Sequence, residues 1–152
     1  MIALTYTCKH FDELTIDELY ALMRLRQEVF VVEQNCPYLD ADGKDKYGYH
    51  VMGKDESGAL QCCTRLLTEG ITYEGYSSIG RVVNSSAVRG SGQGKILMEY
   101  SIGKIKDLYQ GLPIKIGAQS YLKTFYESLG FVDQGIDYLE DGIPHLIMVW
   151  KE

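Results

Sequence analysis

Alternation and spacing of apolar residues divide the chain cleanly. The opening IALTYTC reads as a strand. LTIDELYALMRLRQEVFVV then places Leu19, Leu22, Met23, Val29 and Phe30 near one helical face. Its start is marked by Thr15 as cap, Glu18 three residues later, and Leu14 and Leu19 spaced for a hydrophobic staple. Residues 35–48, NCPYLDADGKDKYG, form a loop with a D-G turn signal, and YHVMGKD, LQCCTRLLT and SSIGRVVN follow as successive strands. KILMEYSIGKIKDLY is helical through Leu97, Tyr100, Ile105 and Leu108, weakened but not broken by Gly103. LPIKIGA is a short strand. SYLKTFYESLG is a helix with Leu122, Phe125, Tyr126 and Leu129 as its apolar stripe and Gly130 as its stop. FVDQGIDYLEDGIPHLIMVWK closes as two strands around EDGIP. The order β-α-β-β-β-α-β-α-β-β predicts an α/β or α+β sheet with helices on both faces.

Length and composition narrow the class. The 152 residues suit one domain spanning 1–152, and 45% apolar with 24% charged residues is ordinary for a soluble fold. No apolar run approaches a membrane span, and MIALTYTCKHF lacks the features of a signal peptide, so a cytoplasmic protein with no membrane partner is expected. Cys8, Cys36, Cys62 and Cys63 show no zinc spacing, so free thiols and no metal are expected. Cys62 and Cys63 are adjacent in a strand, which predicts at most one of them in the core. A net charge of −6 argues against nucleic-acid binding and is compatible with a cationic or amine substrate. The strands after Gly130 offer an edge on which two copies of the chain can pair as a homodimer.

The chemistry concentrates in VRGSGQGKILM. Bare glycines before a helix let an anion sit on backbone N–H groups at the positive end of the helix dipole. A nucleotide P-loop fails, because Gly94-Lys95 is followed by Ile96 and Arg89 stands where its first glycine belongs. A dinucleotide fingerprint also fails, since Gly90 and Gly92 put Lys95 at the third glycine site. The pattern that fits is R-x-x-G-x-G, met by Arg89, Gly92 and Gly94.

That pattern resembles the acyl-CoA pyrophosphate loop of the GNAT superfamily of N-acetyltransferases. SYLKTFYESLGF is similar to the family's second signature through Tyr126, Gly130 and Phe131. RLRQEVFVVEQNCPYLDADGKD, HVMG, IGRVV and YLEDGIPHLIM look like its ElaA-like branch, and VFVVEQ is also similar to acyl-homoserine lactone synthases. The resemblance implies a GNAT fold, a mixed central sheet with splayed strands and helices on both faces. It implies acetyl-CoA as acyl donor, held by Val82, Val83, Asn84, Arg89, Gly90, Ser91, Gly92, Gln93, Gly94, Lys95, Gln119 and Tyr126. In the loop the donors would be the backbone N–H groups of Ser91, Gln93, Gly94 and Lys95, so the side chains of Ser91 and Gln93 should matter little. Tyr126 would protonate the departing thiolate, as a phenol of ordinary pKa ~10 can at neutral pH.

The sequence departs from the family at Gly80, where many members carry an acid beside the amine, at Asn84, usually apolar, and at Ser86, often proline. The general base is therefore open among Glu33, His50, Asp42, His145 and a water chain. Glu33 follows four apolar residues that would bury it and raise its pKa. DADGKD does not make a calcium loop, because from Asp40 the sixth position is Asp45 and the twelfth is Val51, so a turn is expected. A small or macromolecular amine is the expected acceptor. A longer acyl donor, or a non-catalytic acyl-CoA-binding module, is the alternative.

Overall fold

The computed structural model describes residues 2–152. Seven strands, β1 (Thr5–His10), β2 (Tyr49–Lys54), β3 (Leu60–Leu67), β4 (Ser77–Asn84), β5 (Ile114–Gln119), β6 (Val132–Glu140) and β7 (Ile143–Trp150), form one sheet in the order β1-β2-β3-β4-β5-β7-β6. Neighbours are antiparallel except β4 and β5. Helices α1 (Ile16–Arg26), α2 (Gln93–Leu108) and α3 (Lys123–Ser128) connect them. This is the mixed-sheet α+β fold that the chain pattern predicts. Among the described residues no helix is long and apolar enough to cross a membrane.

Helix α1 starts at the capping box read from the sequence. Thr15 Oγ1 accepts from the Glu18 N–H, and the Glu18 carboxylate accepts from the Thr15 N–H, both at 3.0 Å. Its far end departs from expectation, because residues Gln27–Glu33 wind as a π-helix with the wider bond Gln34 N–H to Val29 carbonyl, 3.2 Å. The last helix is shorter than expected, with a 3-10 turn at Ser120–Leu122 leading into α3. Gly130 ends it at φ +100°, where a Cβ would lie 3.0 Å from the Trp150 indole nitrogen.

Both faces of the sheet are covered. Leu97, Met98, Ile105 and Phe131 pack on one face, and Leu22, Leu25, Met52 and Val83 on the other. Cys62 joins the first cluster and Cys63 the second, both buried. The expectation of one buried cysteine is thereby corrected: strand alternation sends them to opposite faces, and each face has a helix over it. Of the strands after Gly130 only β6 is an edge, since β7 lies between β5 and β6.

The sheet parts in the middle. Strands β4 and β5 pair at Ser77↔Ile114 and Ser78↔Lys115, and no further pair joins them among the described residues. The cause sits in β4, where its register against β3 slips by one residue between Cys63↔Val83 and Arg65↔Gly80. Arg81 adopts φ +50° there, a left-handed conformation costly for a residue with a Cβ. Arg81 and Val82 fall in this bulge, and beyond it the two parallel strands diverge.

Candidate active site

A cleft of about 870 Å³ opens where β4 and β5 separate. One side carries residues 79–84 of β4, and the other Lys115, Ile116, Gly117 and Gln119 of β5. The end of the π-helix, the loop before β2, the β6–β7 hairpin and α3 complete its walls.

The glycine loop stands at one end. Gly90 and Gly92 take φ +78° and +81°, and Gly92 begins α2 with no side chain capping the helix. The first N–H groups of α2 thus lack a side-chain acceptor, as an anion site requires. Val88, Arg89, Gly90 and Gly94 line the cleft. Ser91 turns its hydroxyl onto the Val88 carbonyl, 2.5 Å away, and Lys95 is exposed. Gln93 corrects an expectation. Its side chain is buried, accepts from the Tyr6 hydroxyl at 2.8 Å and donates to the Ile2 carbonyl at 3.3 Å, so its identity anchors β1 and matters structurally. Arg89 donates from Nε to the Asn84 carbonyl at 3.0 Å and from Nη2 to Glu33. Asn84 Oδ1 is buried in the cleft wall with no hydrogen-bond partner among the described residues, a vacancy for a donor that a ligand can bring.

Tyr126 lines the same cleft from α3, 6% exposed, its ring set edge-on against Phe125 and Phe131. Burial pushes its phenol up to about 12, with Tyr121 adding a smaller push. Gln119, His145 and Tyr138 align across β5, β7 and β6 by direct pairing. His145 Nδ1 lies 2.7 Å from the Ile143 carbonyl, which can only accept. That bond puts the proton on Nδ1 and leaves Nε2 facing Glu140 at 3.4 Å.

Three base candidates are placed otherwise than expected. His50 does not line the cleft; it is buried with Nε2 2.9 Å from the Asp45 carbonyl and its ring near Phe11. Burial holds its pKa down. Glu33 lines the cleft but is not buried by its apolar neighbours: its side chain is 38% exposed and paired with Arg89. Asp42 reaches the cleft but is gripped by Arg65 at 2.8 and 2.9 Å and by Arg81 at 3.3 Å. Burial opposes its charge, and Arg65 outweighs that, holding the carboxyl well below the carboxylate range.

The DADGKD segment is more than a turn. Arg26, 1% exposed, donates to Asp40 at 2.8 Å and to Asp45 at 2.8 Å, and Arg65 reaches Asp45 at 3.0 Å. Arg81 pairs with Asp40 at 2.8 Å and spreads over the Tyr38 ring. The loop is therefore pinned over the cleft by three arginines from α1, β3 and β4. A signal for it was present: Arg65 stands within CCTRLL and Arg26 falls on the helical face of Leu22 and Val29, and a buried arginine needs acidic partners.

Residues 45–152 match the family model described as an acetyltransferase (GNAT) domain. The chain belongs to the GNAT acetyltransferase family, and its fold is the acyl-CoA N-acyltransferase fold. Within that family it is ElaA-like. Protein ElaA of Escherichia coli K12 is 42% identical over 141 residues, 91% of each chain. The crystal structure of E. coli ElaA superposes with TM-score 0.90 at 38% identity, covering 97% of this chain and 99% of that one. An acyl-CoA N-acyltransferase from Pseudomonas aeruginosa superposes with TM-score 0.92 at 45% identity, covering 98% and 100%. An aminoglycoside 6'-N-acetyltransferase complexed with coenzyme A shares the fold alone, at 18% identity and TM-score 0.69 over 94% and 95%.

Proposed function

We propose that this protein is an N-acetyltransferase that passes the acetyl group of acetyl-CoA to a primary amine by direct attack. The observation that carries the reading is the parting of β4 from β5 beyond Ser78 and Lys115, leading to an uncapped helix start at Gly92. A diphosphate fits the backbone N–H groups from Arg89 to Lys95, and the pantetheine arm fits the seam between residues 82–84 and Gln119. That an aminoglycoside acetyltransferase of this fold binds coenzyme A supports a coenzyme site here.

The chemistry then needs a base, an oxyanion donor and an acid. His145 is the base we assign, because its Nε2 is unprotonated in the Nδ1–H tautomer and sits in the cleft wall. It takes a proton from the ammonium, the neutral amine nitrogen bonds to the acetyl carbon, and the carbon–sulfur bond breaks as the nitrogen sheds its second proton to solvent. The Val82 N–H in the β4 bulge stabilises the oxyanion. Tyr126 gives its proton to the leaving thiolate, its raised pKa keeping it protonated at neutral pH. Holding two reactants in one cleft supplies ~7 kcal/mol or more of the barrier reduction. The four free cysteines fit a reducing, cytoplasmic setting. Exposed Val132, Ile136 and Leu139 on edge strand β6 support pairing of two copies there.

Release of free thiol from acetyl-CoA over a panel of primary amines tests the reading, with coenzyme A melting shifts beside it. Turnover with at least one amine and a raised Tm are expected. Saturable coenzyme binding without turnover would leave an acyl-CoA-binding module, and an unmoved Tm would reject both.

A further inference from the structure

The half of the cleft away from the glycine loop separates charge. Lys115, Gly117 and Gln119 alternate along β5 on the face opposite buried Ile114, Ile116 and Ala118. At the Gln119 end stand His145, opposite it on β7, and Glu140, with Asp141 in the hairpin turn. At the other end Lys115 Nζ lies 4.0 Å from the Tyr76 ring centre and 5.3 Å from that of Tyr73. Lys44 joins this end, its Nζ donating to Thr72 Oγ1 at 3.2 Å.

What distinguishes these lysines is their partners. The arginines of the cleft are matched by carboxylates: Arg65 and Arg81 by the aspartates of the loop, Arg89 by Glu33. Among the described residues neither Lys44 nor Lys115 has an ion-pair partner. Lys115 is held by aromatic faces and Lys44 by a hydroxyl, arrangements that position a cation without pairing it to an anion. At the far end Glu140 lies 3.4 Å from the His145 Nε2, and Asp141 has no ion-pair partner among the described residues. The backbone run from Lys115 to Gln119 covers ~13 Å at strand rise, and the side chains reaching inward shorten it to the span of a small molecule.

We infer that this half of the cleft takes an acceptor with an anionic end as well as its amine, of the ω-amino carboxylate class. The ammonium lies at Glu140 and His145, within reach of the base and the thioester, and the carboxylate lies on Lys115 and Lys44. The inference rests on the acyl-transfer reading above and names its substrate class. Tyr73 and Tyr138 set the width between the two ends, since the Tyr138 hydroxyl fills the space above Gly117 with the Tyr73 hydroxyl beside it.

The test is calorimetry on the coenzyme A-loaded protein with 4-aminobutanoate and 6-aminohexanoate against n-butylamine and n-hexylamine. At least one amino acid should bind roughly tenfold or more tightly than the amine of its length, the scale of a charge-assisted contact. Lys115→Gln should abolish that difference, and Lys44→Gln should reduce it. Equal binding of amine and amino acid, or no binding of either amino acid, overturns the inference. Free-thiol release reads the parent proposal separately. A Lys115-dependent preference without turnover upholds the subsite and removes acyl transfer, whereas turnover of plain amines with no preference does the reverse.

Discussion

Arg89 and Glu33, 56 positions apart in sequence, meet at the cleft, the arginine Nη2 on the carboxylate while its Nε holds the Asn84 carbonyl at 3.0 Å. The contact joins the end of the π-helix to the start of the glycine loop. Both side chains are over a third exposed, so the pair contributes at most ~1 kcal/mol to stability. Under the proposed acyl-CoA reading its larger effect falls on the bound diphosphate, because Glu33 occupies a guanidinium that a phosphate would use.

Glu33→Gln should therefore tighten coenzyme A binding by roughly threefold to tenfold at low salt, an effect that fades as salt screens it. Calorimetry at two ionic strengths checks this. Unchanged or weaker binding would remove Arg89 from the phosphate site.

Arg26 is a different kind of charge. It is enclosed with Asp40 and Asp45, and truncating it leaves Asp40, Asp42 and Asp45 with only Arg65 and Arg81, one negative charge of the network uncompensated. Arg26→Met should cost ~3–5 kcal/mol in thermal or denaturant unfolding. A loss under ~1 kcal/mol would mean that water enters the network.

Glu18 carries the acid dependence of the α1 start. Burial works against its charge, but the Thr15 N–H, Lys54 and Lys9 together hold its pKa down at about 2, against 4.5 for an unperturbed group. A folded pKa below the unfolded one gives stability that is complete above about pH 4.5 and lost as pH falls toward 2. Glu18→Gln should lower stability at pH 7 and flatten its fall across that window. Parallel curves for the two proteins would disprove the assignment.

How much of this was readable in the chain depends on range. The Thr15–Glu18 box, the succession of elements along the chain and the glycine loop were legible because each signal lies within a few residues. The burial of Cys63 and His50 was not, because it depends on α1 covering the β2–β3 face. Nor was the anchoring of Gln93 by Tyr6, a bond between residues 87 apart. The arginine–aspartate network joins α1, β3 and β4 to one loop, and apolar periodicity carries no record of which charge finds which. His145 entered the site through register: pairing with Gln119 fixes its place, and only the sheet order shows that pairing.

Tyr126 tests the assigned acid. Tyr126→Phe keeps the ring that packs on Phe125 and Phe131, so fold and coenzyme affinity should change little. Turnover should fall by roughly 10²-fold or more if the proton donor is lost. With a pKa raised to about 12 the phenol stays protonated through the assay range, so any alkaline fall in kcat near pH 9 must come from another group. Wild-type kcat in the Phe variant would reassign the proton to water.

Gly117 and Tyr138 allow the acceptor half to be tested independently of catalysis. A Cβ on Gly117 would run into the Tyr138 hydroxyl oxygen but lie 3.4 Å from the ring carbon that bears it. The clash is therefore with one oxygen. Gly117→Ala alone must displace the Tyr138 ring, at a cost of ~1–3 kcal/mol for an overpacked site. Tyr138→Phe alone removes the hydroxyl and leaves the ring. Combined, the two changes should recover most of the loss, because the alanine methyl takes the volume the oxygen leaves. A double-mutant cycle on unfolding free energy measures the coupling. Additive losses would show that Tyr138 does not rest on Gly117, and the width assigned to the acceptor half would go with it.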